Sequence, residues 1–284
     1  MLEEGAERYP SLEGGEVEGR GCGDGSRMQA TELVTNLFAG PSLGGLIAGI
    51  ALGWAFGAIA VLYTAAAIAA TRLTMSPQAP VSPATSPSKV TVKDGLTFLF
   101  SRARLAIYAI GVGLLNVAYG AFQTALPIVA LRGPLDLTEG QYGLLLGCAG
   151  ISGLIAGLLA PRLVGQAGSR AAMLIGVLGL AIGLAIPGFT HNRAVNVVGM
   201  LFTGLLVLVN IVTVSYRQRA VPDHLLGRVT AAYRLLAFGG FPLGSALAGA
   251  VGAAVSPQAV LVGAGVLTIA AGAVMTAATP VREK

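Results

Sequence analysis

The chain is short of charged residues, above all acidic ones. Only 11% of its 284 residues are charged, against about 25% in a typical soluble domain. Because a water-facing surface needs far more charge, this composition excludes an ordinary globular protein and indicates a multi-pass membrane protein. Between positions 33 and 281 the only acidic residues are Asp94, Asp136, Glu139 and Asp223.

Cysteine and histidine are equally scarce, with two of each. Cys22 lies in a polar tail and Cys148 in an apolar run, a pattern that predicts neither a disulfide nor a zinc site. His191 and His224 fall in predicted loops without a partner at ligand spacing. The sequence shows no nucleophile–base pair and no paired carboxylates. It therefore predicts no enzyme activity, no metal and no cofactor.

Long apolar runs are what the chain does contain, and 54% of its residues are hydrophobic. A helix that crosses a membrane needs about 20 apolar residues. The runs predict an all-α integral membrane bundle of about eight transmembrane helices. The expected spans are 33–53, 55–72, 105–131, 141–161, 171–189, 194–216, 229–252 and 257–278.

Two stretches lie outside these spans. Residues 1–27 are rich in glutamate and glycine and lack the apolar core of a signal peptide, so we interpret them as a disordered tail. The connector 73–104 contains MSPQAPVSPATSPS, whose composition favours an extended linker. Its VTVKDGLTFLF stretch mixes apolar and polar residues and predicts a short interfacial helix before the third span.

Lysine and arginine are distributed unevenly between the two ends of the spans. Sixteen of them fall on one side, whereas only Arg132 and Arg193 fall on the other. Positively charged loops stay in the cytoplasm. The asymmetry therefore predicts a plasma (inner) membrane protein with both termini and the connector in the cytoplasm. The basic residues form no patch of the kind that binds nucleic acid.

The chain also contains an internal repeat. RMQATELVTNLFAGPSLGGLIAG, from Arg27, is similar to RVTAAYRLLAFGGFPLGSALAG, from Arg228. In each copy a proline, Pro41 or Pro242, follows the arginine by 14 residues and begins a run of small residues. Since these are the first and seventh spans, the repeating unit has six spans, as in transporters built from two related halves. Chance similarity between helices rich in small residues is the alternative.

The most distinctive segments are SRMQATELVTN (26–36), GPSLGG (40–45) and QRAVPDHLLGRVTAAYRLL (218–236). They resemble the major facilitator superfamily and, within it, the enterobactin-exporter-like and multidrug-efflux branch. GPSLGG is similar to the antiporter motif in the fifth helix of those exporters. The resemblance implies a bent, closely packed contact that limits leakage, although ordinary helix packing would need the same residues. These residues are Gly40, Pro41, Gly44 and Gly45.

The resemblance covers residues 27–280 and implies helices 5–12 of a twelve-helix architecture, without the first four. It places the last two helices of the N-terminal half in 28–72 and a six-helix C-terminal half in 105–280. The family's signature between helices eight and nine is reduced here to Gly168 and Arg170. The resemblance and the loop positions make six residues candidates for a cytoplasmic gate or hinge. They are Gly168, Arg170, Gly227, Arg228, Arg234 and Pro242.

Polar residues inside apolar spans are candidates for a substrate cavity, since such residues usually face the interior of a bundle. Helical spacing places most of those in the third span on one face, which either lines a cavity or hydrogen-bonds to a neighbouring helix. A similar stripe in the sixth span is extended by Tyr216. Arg234 is expected to snorkel to the cytoplasmic face, with a gate or anionic-substrate role as the alternative. The cavity candidates are Asn36, Asn116, Tyr119, Gln123, Asn210 and Thr213.

The repeat, the charge asymmetry and the resemblance together imply an efflux transporter of small organic molecules that are drug-like or siderophore-like. Alternating access driven by proton antiport is the implied mechanism. Its partners would be the lipid bilayer, the small-molecule substrate and protons, and a coupling carboxylate is expected in the absent helices or at Glu32. The alternative is a truncated, transport-inactive membrane fragment of such an exporter.

Overall fold

The structure, a computed structural model, describes residues 52–72 and 92–280. These residues form helices and connecting turns, without a strand. The helices are α1 (Leu52–Arg72), α2 (Val92–Ser101), α3 (Ala103–Leu131), α4 (Glu139–Phe189), α5 (Arg193–Thr203), α6 (Leu206–Ala220), α7 (Asp223–Ala254) and α8 (Pro257–Ala278). In this part of the chain five helical stretches are long and apolar enough to cross a membrane. The prediction of an all-α membrane bundle is confirmed.

One of these stretches, α4, is two spans joined at a kink. Its 51 residues would measure about 76 Å as a straight helix, far more than the ~30 Å hydrocarbon core of a bilayer. Gly168 interrupts it with φ 86° and ψ 165°, a conformation that glycine adopts without a steric penalty. The two parts contain the expected spans 141–161 and 171–189.

Most of the remaining expected spans each lie within one of the other helices. The third, seventh and eighth lie within α3, α7 and α8, and the second lies within α1. The sixth is divided between α5 and α6, which together form one stretch of 28 residues. Gly204 stands at the break, where a side chain would collide with Ser152 and the α4 backbone at Ala149. The first expected span, 33–53, falls almost entirely outside the described residues.

The helices pack around α3 and α4. Helix α3 contacts α7 and α8, helix α8 lies between α3 and the second part of α4, and α5 and α6 pack on α4. The short helix α2 lies against the start of α7, where a Cβ on Gly95 would be 2.6 Å from the Arg228 carbonyl oxygen. Large buried side chains such as Phe122, Leu180 and Leu261 fill the centre.

The contact between α3 and α7 brings two backbones together. A Cβ on Gly240 would collide with the Gly113 carbonyl, and one on Gly244 would collide with the carbonyl of Val117. Ser245 Oγ donates a hydrogen bond of 3.2 Å to the Gly120 carbonyl across the same contact. Such close approach supplies the packing and hydrogen bonding that hold helices together in lipid.

Pro242 lies inside α7, and the helix continues through it to Ala254. Proline removes one backbone hydrogen bond, which a helix within a bundle tolerates. The second copy of the repeat is therefore a continuous helix. The first copy, with Pro41 and GPSLGG, lies outside the described residues, so its interpretation as a helix bend stays a prediction.

Candidate functional site

A cavity of about 640 Å³ lies between α3, α6 and α7. Such a volume falls within the range of sites that hold drug-sized molecules, roughly 300–1,000 Å³. It extends along α6 from Leu206 to Arg217 and along α7 from Thr230 to Pro242, so that it reaches toward the α6–α7 turn. Its other lining residues are Val112, Leu115, Asn116, Tyr119, Leu206, Asn210, Thr213, Val214, Tyr233, Arg234, Ala237, Phe238, Phe241 and Pro242.

Aromatic residues form the inner end of the cavity. The ring of Tyr119 is tilted by 56° against that of Phe241, with centroids 6.4 Å apart, and stacks on Phe122 at 6.1 Å. Just beyond Tyr119, a Cβ on Gly120 would collide with the Phe241 carbonyl. Tyr119 and Phe241 thus lie at the end of the cavity farthest from the α6–α7 turn.

Polar residues of α3 and α6 form part of the wall. Asn116 Nδ2 donates to the Val112 carbonyl at 2.9 Å, and Thr213 Oγ1 donates to the Val209 carbonyl at 2.9 Å. Both bonds stay within one helix, four residues back. These side chains therefore bring polar atoms to the cavity while their donors are satisfied locally.

Arg217 brings a buried positive charge to the cavity and lies against the ring of Tyr233. Arg217 is 7% exposed and Tyr233 is 6% exposed. The guanidinium carbon of Arg217 lies 4.3 Å from the centroid of the Tyr233 ring, a cation–π geometry. Among the described residues, Arg217 Nε has no hydrogen-bond partner. The same part of the chain holds no group of three His, Cys, Asp or Glu suited to a metal ion.

Four of the predicted cavity residues do line it, namely Asn116, Tyr119, Asn210 and Thr213. The structure brings together residues of the third and sixth spans that are about 90 positions apart in sequence. Two residues predicted for a gate, Arg234 and Pro242, also lie in the cavity wall. Their gating role stays a prediction.

Gln123 is not among the lining residues, contrary to its expected place on the polar face. It lies one helical turn beyond Tyr119, past the contact between Gly120 and the Phe241 carbonyl. Its Oε1 is buried without a hydrogen-bond partner among the described residues. Tyr216 also faces elsewhere. Its ring meets that of Tyr108 edge-on at 5.3 Å, and the Arg104 guanidinium lies over it at 5.0 Å.

The other gate candidates lie apart from the cavity. Gly168 forms the kink of α4, and the neighbouring Arg170 is exposed. Gly227 is exposed near the start of α7, and Arg228 contacts α2 through its backbone. Their roles stay predictions. Outside the described residues lie Asn36, Gly40, Pro41, Gly44 and Gly45.

Sequence reasoning missed Arg217, Thr230 and Tyr233 as cavity residues. For Arg217 a signal was present, because Asn210, Thr213 and Arg217 are spaced by 3 and 4 and so share one helical face. Its charge was instead assigned to the cytoplasmic loop. Thr230 and Tyr233 carry a similar signal, since Tyr233 and Arg234 follow Thr230 by three and four residues and so share its helical face.

The fold and the cavity define a multi-pass α-helical membrane protein with a ligand-sized chamber between its helices. Residues 31–284 match the family described as transmembrane secretion effectors, within the major facilitator superfamily. The chain therefore belongs to this family of the major facilitator superfamily. It is also 27% identical over 261 residues to the uncharacterized MFS-type transporter y4rN of Sinorhizobium fredii. That alignment covers 89% of this chain and 63% of the relative, so the chain spans less than two thirds of the relative's length.

Proposed function

We propose that the chain acts in the export of small organic molecules from the cytoplasm, in the manner of the enterobactin-exporter-like and multidrug-efflux branch. The cavity of about 640 Å³ carries this proposal. Its wall combines aromatic faces with a few polar groups, the usual composition of a site for a drug-like or siderophore-like molecule. It reaches toward the ends of α6 and α7 that the arginine distribution assigns to the cytoplasm, where an exporter takes up its substrate.

The mechanism proposed is alternating access in the inner membrane, driven by proton antiport, with both termini in the cytoplasm. The lining residues that the structure describes include no carboxylate. A proton-coupling carboxylate would therefore come from elsewhere in the transporter. The cavity residues bind and orient the substrate in this proposal, while the close contact at Gly240 and Gly244 lets α3 and α7 move as one unit.

Transport by reconstituted vesicles tests the proposal. Liposomes that contain the purified chain should accumulate a fluorescent efflux dye when their interior is more acidic than the medium. A proton ionophore should abolish this uptake. Phe238→Ala should lower the rate several-fold, because it removes an aromatic wall of the cavity. Leu235→Ala is the matched control, since Leu235 is similarly exposed on α7 but does not line the cavity.

Two other outcomes are informative. Uptake that persists without the proton gradient would support transport by the chain but refute proton antiport. A folded chain that shows no uptake at all would favour the alternative of a transport-inactive membrane fragment.

A further inference from the structure

Arg217 is a guanidinium placed where a charge is costly. It belongs to a membrane-spanning stretch, is 7% exposed and lines the cavity. Its contact with the Tyr233 ring at 4.3 Å stabilises the cation, but its Nε has no hydrogen-bond partner among the described residues. Ionised groups within membrane spans usually pair with an opposite charge or mark a substrate path.

The charged side chains in the described part of the cavity wall have one sign. Arg234, on the neighbouring helix, also lines the cavity, and none of the described lining residues is acidic. Asp136 and Glu139 lie between the end of α3 and the start of α4, on the far side of the bundle from Arg217, whereas Asp94 and Asp223 lie in the first turns of α2 and α7. The charged groups that the described wall brings to the cavity are therefore both cationic.

The rest of the wall indicates the shape of the ligand. Tyr119, Phe238 and Phe241 present aromatic surface around a volume suited to one or two rings. An arginine guanidinium binds a carboxylate through two parallel hydrogen bonds. Resting on the proposed transport function, we propose that the cavity selects organic anions, with a carboxylate or similar group paired to Arg217 and an aromatic body against the rings.

Binding to the purified full chain in detergent tests this selectivity without requiring transport. The probes are radiolabelled 2-naphthoate and its neutral counterpart 2-naphthamide, which share one aromatic body. The wild-type chain should bind naphthoate about tenfold more tightly than naphthamide, because a hydrogen-bonded ion pair replaces a neutral contact. Arg217→Gln should abolish the preference and leave naphthamide binding within about twofold.

The matched control is Arg219→Gln, which removes the same charge two residues along the helix. Arg219 is exposed, and its Nε donates to the Ser215 carbonyl at 3.3 Å. The preference for naphthoate should survive this change. If Arg217→Gln does not fold, Arg217→Lys replaces it and should reduce the preference, since an ammonium lacks the planar fork.

The outcomes separate this inference from the transport proposal. Equal affinity of the wild type for both probes would overturn anion selectivity alone, and would fit an Arg217 already paired with a carboxylate of another segment. An equal loss of preference in Arg217→Gln and Arg219→Gln would also overturn it, since net charge rather than the site would be responsible. Failure to bind either probe would count against the cavity as a substrate site altogether.

Discussion

Helices α7 and α8 are consecutive apolar spans, but they occupy different environments. Of the most apolar part of each helix, 22% is buried in α7 and 50% in α8. Helix α8 packs between α3 and α4, whereas α7 packs mainly on α3. Hydropathy identifies both as spans, but only packing distinguishes a core helix from one that borders a cavity.

The two helices also differ in how closely their glycines approach a neighbouring backbone. In α7, Gly240 and Gly244 face carbonyl groups of α3, at Gly113 and Val117. In α8, Gly272 faces the side chain of Val177, and Gly265 faces the Ala185 side chain as well as the Ala181 carbonyl. Backbone contacts leave less freedom to adjust than side-chain contacts, because a side chain can change rotamer. We therefore expect substitutions in α7 to lower stability along the narrow stripe that faces α3, and to be tolerated elsewhere on the helix.

The largest expected difference in stability is between alanine substitutions of one leucine in α8 and one in α7. Leu261 of α8 is fully buried, whereas Leu235 of α7 is 69% exposed. Leu261→Ala should lower the free energy of unfolding by about 2–5 kcal/mol through the cavity it leaves, and Leu235→Ala by less than about 0.5 kcal/mol. Unfolding in mixed detergent micelles measures both values. Equal losses would refute the contrast between the two helices.

The second effect contrasts two glycines of α7. Gly244→Ala places a methyl group against the Val117 carbonyl and should cost about 1–3 kcal/mol, as overpacking does. Gly239→Ala meets nothing within 4 Å and should leave stability unchanged or raise it by up to about 1 kcal/mol, because alanine favours a helix more than glycine does. The same unfolding measurement applies. A tolerant Gly244 would show that α3 and α7 are not in backbone contact.

The smallest effect concerns the end of α8. Thr279 Oγ1 donates to the Met275 carbonyl at 2.8 Å, so the Tyr108 hydroxyl, 2.8 Å from Thr279 Oγ1, is the donor of the bond that joins α3 to this end. Tyr108→Phe should cost about 1 kcal/mol, and Tyr63→Phe, at an exposed site, almost nothing. In a double-mutant cycle, Thr279→Val should cost less in the Tyr108→Phe background than alone. Strict additivity would contradict the bond.

Much of this fold could be predicted from the sequence because the bilayer imposes a simple rule. Any span must be long, apolar and helical, so the ends of α3 and α8 fall within a few residues of the expected bounds. Periodicity likewise placed Asn116 and Tyr119 on one face. The kink of α4 is marked by Gly168, which the resemblance singled out for its position rather than its geometry.

The inner end of the cavity could not be predicted in this way. Gln123 continues the polar stripe of α3, but the cavity stops before it, near the height at which Gly120 meets the Phe241 carbonyl. That meeting depends on the register of two helices more than 100 residues apart, which a single sequence does not encode locally. Arg217 could not be identified for another reason. A count of basic residues on each side of the membrane includes an arginine in the same way whether it lies in a loop or in a cavity wall.

Thiol labelling tests most directly the central claim, that one face of α7 borders the cavity. Phe238→Cys and Leu243→Cys would each be made with Cys22 and Cys148 replaced by alanine, and treated in broken membranes with a charged methanethiosulfonate reagent. The two positions are 64% and 62% exposed and lie about 7.5 Å apart along the helix, but only Phe238 lines the cavity. We predict rapid labelling at 238 and little at 243. Labelling of 243 alone, or of both equally, would contradict the claim.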